Sequence, residues 1–107
     1  MTLLCRLRDL EATGAKGVTL EKGRPVVVIR TDDGARAFLN ICPHMGATLE
    51  TFPDRFLDET GDFLLCAIHG ARFSKVDGHC VSGPCIGRSL RAVPVVLDGD
   101  AVLVEPG

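Results

Sequence analysis

The chain has 107 residues, with 12 Lys or Arg against 14 Asp or Glu and a formal charge of −2. That balance excludes the basic footprint of a nucleic-acid binder, and five Phe with no Trp or Tyr give no stacking platform for bases. The length suits one domain over residues 1–107, and no apolar run approaches the roughly 18 residues of a membrane span.

The N-terminal Met1-Thr2-Leu3-Leu4-Cys5-Arg6-Leu7-Arg8 lacks the basic-then-apolar order of a secretory leader. A cytoplasmic protein is therefore expected. Leu3, Cys5 and Leu7 alternate with Leu4, Arg6 and Arg8, which predicts a strand with one buried face. Pro25-Val26-Val27-Val28-Ile29-Arg30 is a β-branched run entered by Pro, as a strand start allows. Asp32-Asp33-Gly34 then makes a turn, and residues 35–40 return as the hairpin partner. This hairpin leads directly into Cys42-Pro43-His44.

Residues 50–62 form an acidic excursion, with Glu50, Asp54, Asp58, Glu59 and Asp62 against Arg55 alone. Two readings stand: a solvated loop, or a docking edge for a basic partner, testable by reversing Asp58 and Glu59 to Lys. Phe63-Leu64-Leu65 is a short apolar strand that ends at Cys66-Ala67-Ile68-His69. Arg72-Phe73-Ser74 and His79-Cys80-Val81 flank a second Asp-Gly turn. The closing hairpin is read as 92–97, the turn Asp98-Gly99-Asp100, then 101–104. No segment has a sustained helical period. Short strands punctuated by turns predict an all-β fold, a small antiparallel sandwich or barrel.

Five cysteines, an odd count without an export signal, favour metal ligation or buried thiols over a disulfide scaffold. Cys42 with His44, and Cys66 with His69, pair a thiolate with an imidazole at the ends of two strands. Two sulfurs and two nitrogens complete a ligand set. Such a set serves a tetrahedral zinc site or an asymmetric [2Fe–2S] cluster in which two His replace two Cys on one iron. Zinc fingers more often pair Cys with Cys and His with His, whereas each loop here brings one of each. In the cluster the neutral imidazoles donate less charge than thiolates, so the iron they hold is the one that takes the electron.

Cys42-Pro43-His44-Met45-Gly46-Ala47 and Cys66-Ala67-Ile68-His69-Gly70-Ala71-Arg72-Phe73 resemble the two cluster-binding loops of a Rieske-type ferredoxin. Residues 82–90, Ser82-Gly83-Pro84-Cys85-Ile86-Gly87-Arg88-Ser89-Leu90, resemble that family's covering loop. The resemblance implies a Rieske-type β fold with a cluster-binding subdomain made of two loops, about 40–49 and 64–74. It implies one [2Fe–2S] cluster held by Cys42, His44, Cys66 and His69. The cytochrome bc-type members carry an extra Cys in each loop, joined as a disulfide. Ala47 and Ile68 stand at the matching positions, so that bridge is not expected. Ala71 and Phe73 stand where those proteins have a Ser and a Tyr that hydrogen-bond near the cluster. With fewer donors, a potential at the low end of the family, around −150 mV, is expected. The 21 residues between His44 and Cys66 exceed the spacing expected of compact carriers, and the acidic excursion accounts for the excess.

Cys5 and Cys80 fit strand slots as buried inert thiols, and Cys85 lies in the covering loop. His79 is the single histidine outside the set and reads as an exposed turn residue. One His cannot build the two-His, one-carboxylate iron site of an oxygenase, so the chain is not a complete oxygenase. The leading expectation is a one-electron carrier with no small-molecule substrate of its own. The resemblance implies a flavin-dependent reductase as donor and an oxygenase or related redox enzyme as acceptor. The alternatives are a fixed electron-transfer subunit of a larger complex and a zinc-stabilised interaction module.

Overall fold

A computed structural model describes residues 2–11, 14–20, 23–32, 34–41, 56–66, 70–84 and 86–104. Three antiparallel sheets hold all the regular structure of these residues apart from 3₁₀ helix, and the expected all-β class holds. The middle sheet is ordered β2-β3-β4-β8, where β2 is Ala15–Thr19, β3 is Pro25–Thr31, β4 is Gly34–Leu39 and β8 is Ala92–Val93. A second sheet is ordered β1-β10-β9, from Thr2–Arg6, Ala101–Val104 and Val95–Asp98. The third joins β5 (Phe63–Leu65), β6 (Arg72–Ser74) and β7 (Cys80–Ser82).

The apolar run in β3 explains why it lies at the centre. Val26, Val27, Val28 and Ile29 are all fully buried. Successive strand side chains point to opposite faces, so both faces of this sheet are covered. Val26 and Val28 pack with Leu4, Leu10, Val93 and Val102 on the β1-β10-β9 side. Val27 and Ile29 pack with Phe38, Phe56, Leu64, Cys66 and Phe73 on the β5-β6-β7 side. A fully buried Val or Ile contributes about 1.5–3 kcal/mol. The 3-residue strands of the third sheet depend on that shared core, because so small a sheet is marginal alone.

Three details depart from the sequence expectations. Leu3 pairs with Leu103 and Cys5 with Val102, so Leu4 is an extra residue in a bulge. Leu4 and Cys5 are thereby both buried, Leu3 is half exposed, and simple alternation fails. The chain then makes a 3₁₀ helix over Leu7–Leu10 that buries Leu10, with the Asp9 carboxylate accepting the Arg6 N–H at 2.9 Å. Residues 92–97 are not one strand. Pro94 has no N–H for a ladder, and there the chain changes sheets: Val93 pairs with Ala37, whereas Val95 pairs with Val104. Strand β2, which crosses Lys16 and Gly17 without a clean alternation, was not foreseen.

Candidate metal centre

Cys66 follows β5 directly, and its side chain lies in the core shared with Leu64, Ala71, Phe73 and Cys80. Its backbone N–H donates to the Ala71 carbonyl at 2.8 Å, and its own carbonyl accepts the Gly70 N–H at 2.8 Å. The two ends of the second loop are therefore tied to each other. Gly70 has φ +72°, a left-handed conformation that glycine adopts without strain. Ala71 is fully buried. A Cβ on Gly83 would stand 2.7 Å from the Ala71 Cα, so only glycine lets the base of the covering loop approach this closely.

The register fixes which ends of the strands meet. Leu65 pairs with Arg72, and Arg72 with Ser82, which gathers Cys66, Gly70 and Gly83 at one end of the sheet. Beyond it Pro84, Ile86 and Gly87 are exposed, Ile86 at 68%. The covering loop returns beside β7, with the Cys80 N–H on the Arg88 carbonyl at 2.9 Å and the Leu90 N–H on the Gly78 carbonyl at 2.8 Å. Of the four expected ligands, Cys66 lies at this end of the sheet. Cys42, His44 and His69 lie outside the described residues, as do Ala47, Ile68 and Cys85. Ile41, immediately before Cys42, leaves β4 through Asn40, which is buried and accepts no exposure to solvent beyond 3%.

A buried sulfur at the mouth of a tight hairpin, with a shell of Leu64, Ala71 and Phe73, suits iron–sulfur ligation. Thiolate is the soft donor such irons select, and an apolar shell limits water access. The chemistry of Cys66 and its surroundings fits the cluster.

Within the acidic segment Glu59 and Asp62 are exposed, Glu50, Asp54 and Arg55 lie outside the described residues, and of the described acids Asp58 alone is buried. Residues 56–58 run beside β5, with Leu57 bridged to Leu64, the Asp58 N–H on the Phe63 carbonyl and the Leu65 N–H on the Phe56 carbonyl. The Asp58 side chain is 2% exposed. It accepts the Thr60 hydroxyl at 2.6 Å, the Thr60 N–H at 3.2 Å and Arg72 Nε at 3.1 Å. Arg72 Nη2 donates to both Glu59 oxygens, at 3.1 and 3.3 Å. The Thr60 hydroxyl first, and Arg72 with it, hold the Asp58 carboxyl below the usual carboxylate range, while the carboxylates raise Arg72. Asp58 is thus an internal counter-ion and not a docking charge. The turn 59–62 also lies at the Phe63 end of β5, away from Cys66. Sequence reasoning missed this clamp because Arg72 lies 14 residues from Asp58, with no local spacing to join them.

The remaining groups hold to expectation. Cys5 is buried, and burial, then Asp9, pushes its thiol up. Cys80 is buried and donates Sγ–H to the Ser82 carbonyl at 3.1 Å. His79 is exposed; its N–H donates to Asp77 Oδ1 at 2.9 Å and its Nδ1 lies 3.2 Å from Ser89 Oγ.

The model of the Rieske [2Fe–2S] domain family matches residues 1–96. Among solved structures, the ferredoxin of carbazole 1,9a-dioxygenase from Nocardioides aromaticivorans IC177 is similar at TM-score 0.78 and 27% identity, covering 99% of this chain and 97% of that one. A Sphingomonas yanoikuyae B1 ferredoxin shares the fold at TM-score 0.79 and 22% identity, over 98% and 97% of the two chains. A putative NADH-dependent nitrite reductase small subunit from Mycobacterium tuberculosis is similar at TM-score 0.67 and 26% identity, over 94% and 88%. A search of curated protein sequences found no match.

Proposed function

The chain belongs to the Rieske [2Fe–2S] domain family, and on that premise we propose that it passes single electrons from a flavin-dependent reductase to an oxygenase or related redox enzyme. It is an electron-transfer protein that binds one [2Fe–2S] cluster. We assign Cys42, His44, Cys66 and His69 as the ligands. The observation that carries the assignment is Cys66: a buried sulfur presented by a cross-bonded hairpin at the end of the sheet where the covering loop returns.

When bound, the cluster would supply one-electron chemistry. The chain's own part is to hold and shield it. The Cys66–Ala71 and Gly70–Cys66 bonds fix where the sulfur points. Leu64, Ala71 and Phe73 exclude water from behind it. Pro84 and Ile86 form an exposed apolar rim through which a partner approaches. The two cores on opposite faces of the middle sheet support a single working domain over residues 1–107. Among the described residues no helix is long and apolar enough to cross a membrane, and a reducing cytoplasm suits the cysteine content.

The partner assignment draws on the similarity to a protein named as the ferredoxin of carbazole 1,9a-dioxygenase. The experiment is single-turnover transfer. Dithionite-reduced protein is mixed with an oxidised Rieske oxygenase of the aromatic-ring class, and reoxidation is followed by absorbance. Rapid reoxidation is expected; no transfer to such an acceptor would overturn the assignment. The similarity to a nitrite reductase small subunit favours the fixed-subunit reading instead, and stable co-purification with one large flavin-dependent subunit is the result that would establish it.

A further inference from the structure

We infer that Arg72, with Asp58 as its buried counter-ion, is a positioning residue for the second ligand loop, holding the hairpin that presents Cys66 to the cluster. The inference rests on the ligand assignment above. Arg72 is the first residue of β6, opposite Leu65, and it follows Ala71, whose carbonyl holds the Cys66 N–H. Where the Arg72 backbone sits therefore decides where Cys66 sits.

Its side chain is fixed from two directions. Nε donates to Asp58 Oδ2 at 3.1 Å, and Nη2 to Glu59 at 3.1 Å. Such a fork uses the planar geometry that only a guanidinium offers. Asp58 is itself held by both Thr60 donors, and the Asp58 and Leu65 amides bond residues 56–58 along β5. The clamp thus joins the outermost segment of this sheet to β6, across the strand that ends at Cys66. Gly83 wedges Ala71 from the other side. The Ala71–Arg72 end of the loop is held by a charge pair on one flank and by close packing on the other.

Electrostatics give the clamp a second signature. Reduction adds one negative charge to the cluster. Removing the Arg72 charge leaves two carboxylates less compensated and disfavours reduction. Neutralising Asp58 leaves Arg72 less compensated and favours it. A role confined to folding has no reason to separate the two variants by sign.

The test uses the holoprotein and compares wild type with Asp58→Asn, Arg72→Gln and Arg72→Lys. Three readouts are taken: midpoint potential, low-temperature EPR of the reduced protein, and hydrogen exchange of residues 64–72. Arg72→Gln is expected to lower the potential and Asp58→Asn to raise it. Both should speed exchange at the Cys66 amide and shift the EPR line positions. Arg72→Lys keeps the charge but not the fork, so it should speed exchange with little change in potential; it also tests the claim if Asp58→Asn does not fold. Potentials, spectra and Cys66 exchange unchanged from wild type, even with a lower melting temperature, would overturn the inference and leave the ligand assignment intact. A wild-type protein without a Rieske-type signal would overturn both.

Discussion

Asp58 shows how a residue's chemistry is set by what surrounds it. In sequence it is one of several acids in a row. In the fold it is buried, accepts three hydrogen bonds and faces Arg72. Its carboxyl is held below the usual range in the folded chain and returns to about 3.9 when unfolded. The ionised form therefore favours folding. That contribution is complete above about pH 4 and is lost as the pH falls through the lowered folded value. Asp58→Asn should flatten the acid limb of a stability-against-pH curve measured by denaturant titration, and an unchanged limb would contradict the role. Ala71 and Phe73 are both fully buried beside Cys66 and carry no hydroxyl, so on the proposed ligand set a low potential is expected. Ala71→Ser and Phe73→Tyr should each raise the midpoint potential by adding a hydroxyl donor near the cluster sulfurs; a flat redox titration would refute that.

Among the elements, the hairpin of β5 and β6 and the return of the covering loop carry the function, and their junction is Gly83 against Ala71. Gly83→Ala meets a contact of 2.7 Å to backbone and a φ of +94°. A destabilisation of about 1–3 kcal/mol is expected from strain of that kind, read by chemical denaturation, together with faster bleaching of the visible absorbance by a chelator. Much at this scale was legible in the sequence. β3 announced itself by four consecutive β-branched residues, the hairpin partner β4 by the Asp-Gly turn, and β5 by its apolar run into Cys66. The failures have physical causes. The bulge at Leu4 breaks a period-2 pattern with one inserted residue, which alternation cannot register. The change of sheet at Pro94 depends on tertiary pairing, although the proline was there to be read as an interruption. β2 is held by pairing with β3 along its whole length, from Ala15 opposite Ile29 to Thr19 opposite Pro25, and its own sequence contributes little.

At the scale of the molecule, the middle sheet joins two cores, one shared with each of the other two sheets. Phe38 is fully buried in the core that also holds Cys66. Phe38→Ala should cost about 3–5 kcal/mol, measured by denaturant unfolding, and a cost near zero would show that the two layers are independent. The candidate site was legible as a donor set, because two Cys–His pairs at strand ends are rare by accident. Its supporting structure was not: the Arg72–Asp58 pair joins residues with no local signal, and the closeness of Gly83 to Ala71 exists only once the three strands are in register. Asp58 misled for the same reason, since exposure cannot be read from charge alone. We propose that one [2Fe–2S] cluster sits on Cys42, His44, Cys66 and His69. Low-temperature EPR of the anaerobically purified, dithionite-reduced protein tests it most directly, with His69→Cys and Cys66→Ser beside the wild type. A red-brown wild type with a rhombic Rieske-type signal is expected, altered or lost in both variants. A colourless, EPR-silent wild type containing zinc, or a Rieske signal unchanged in either variant, would contradict it.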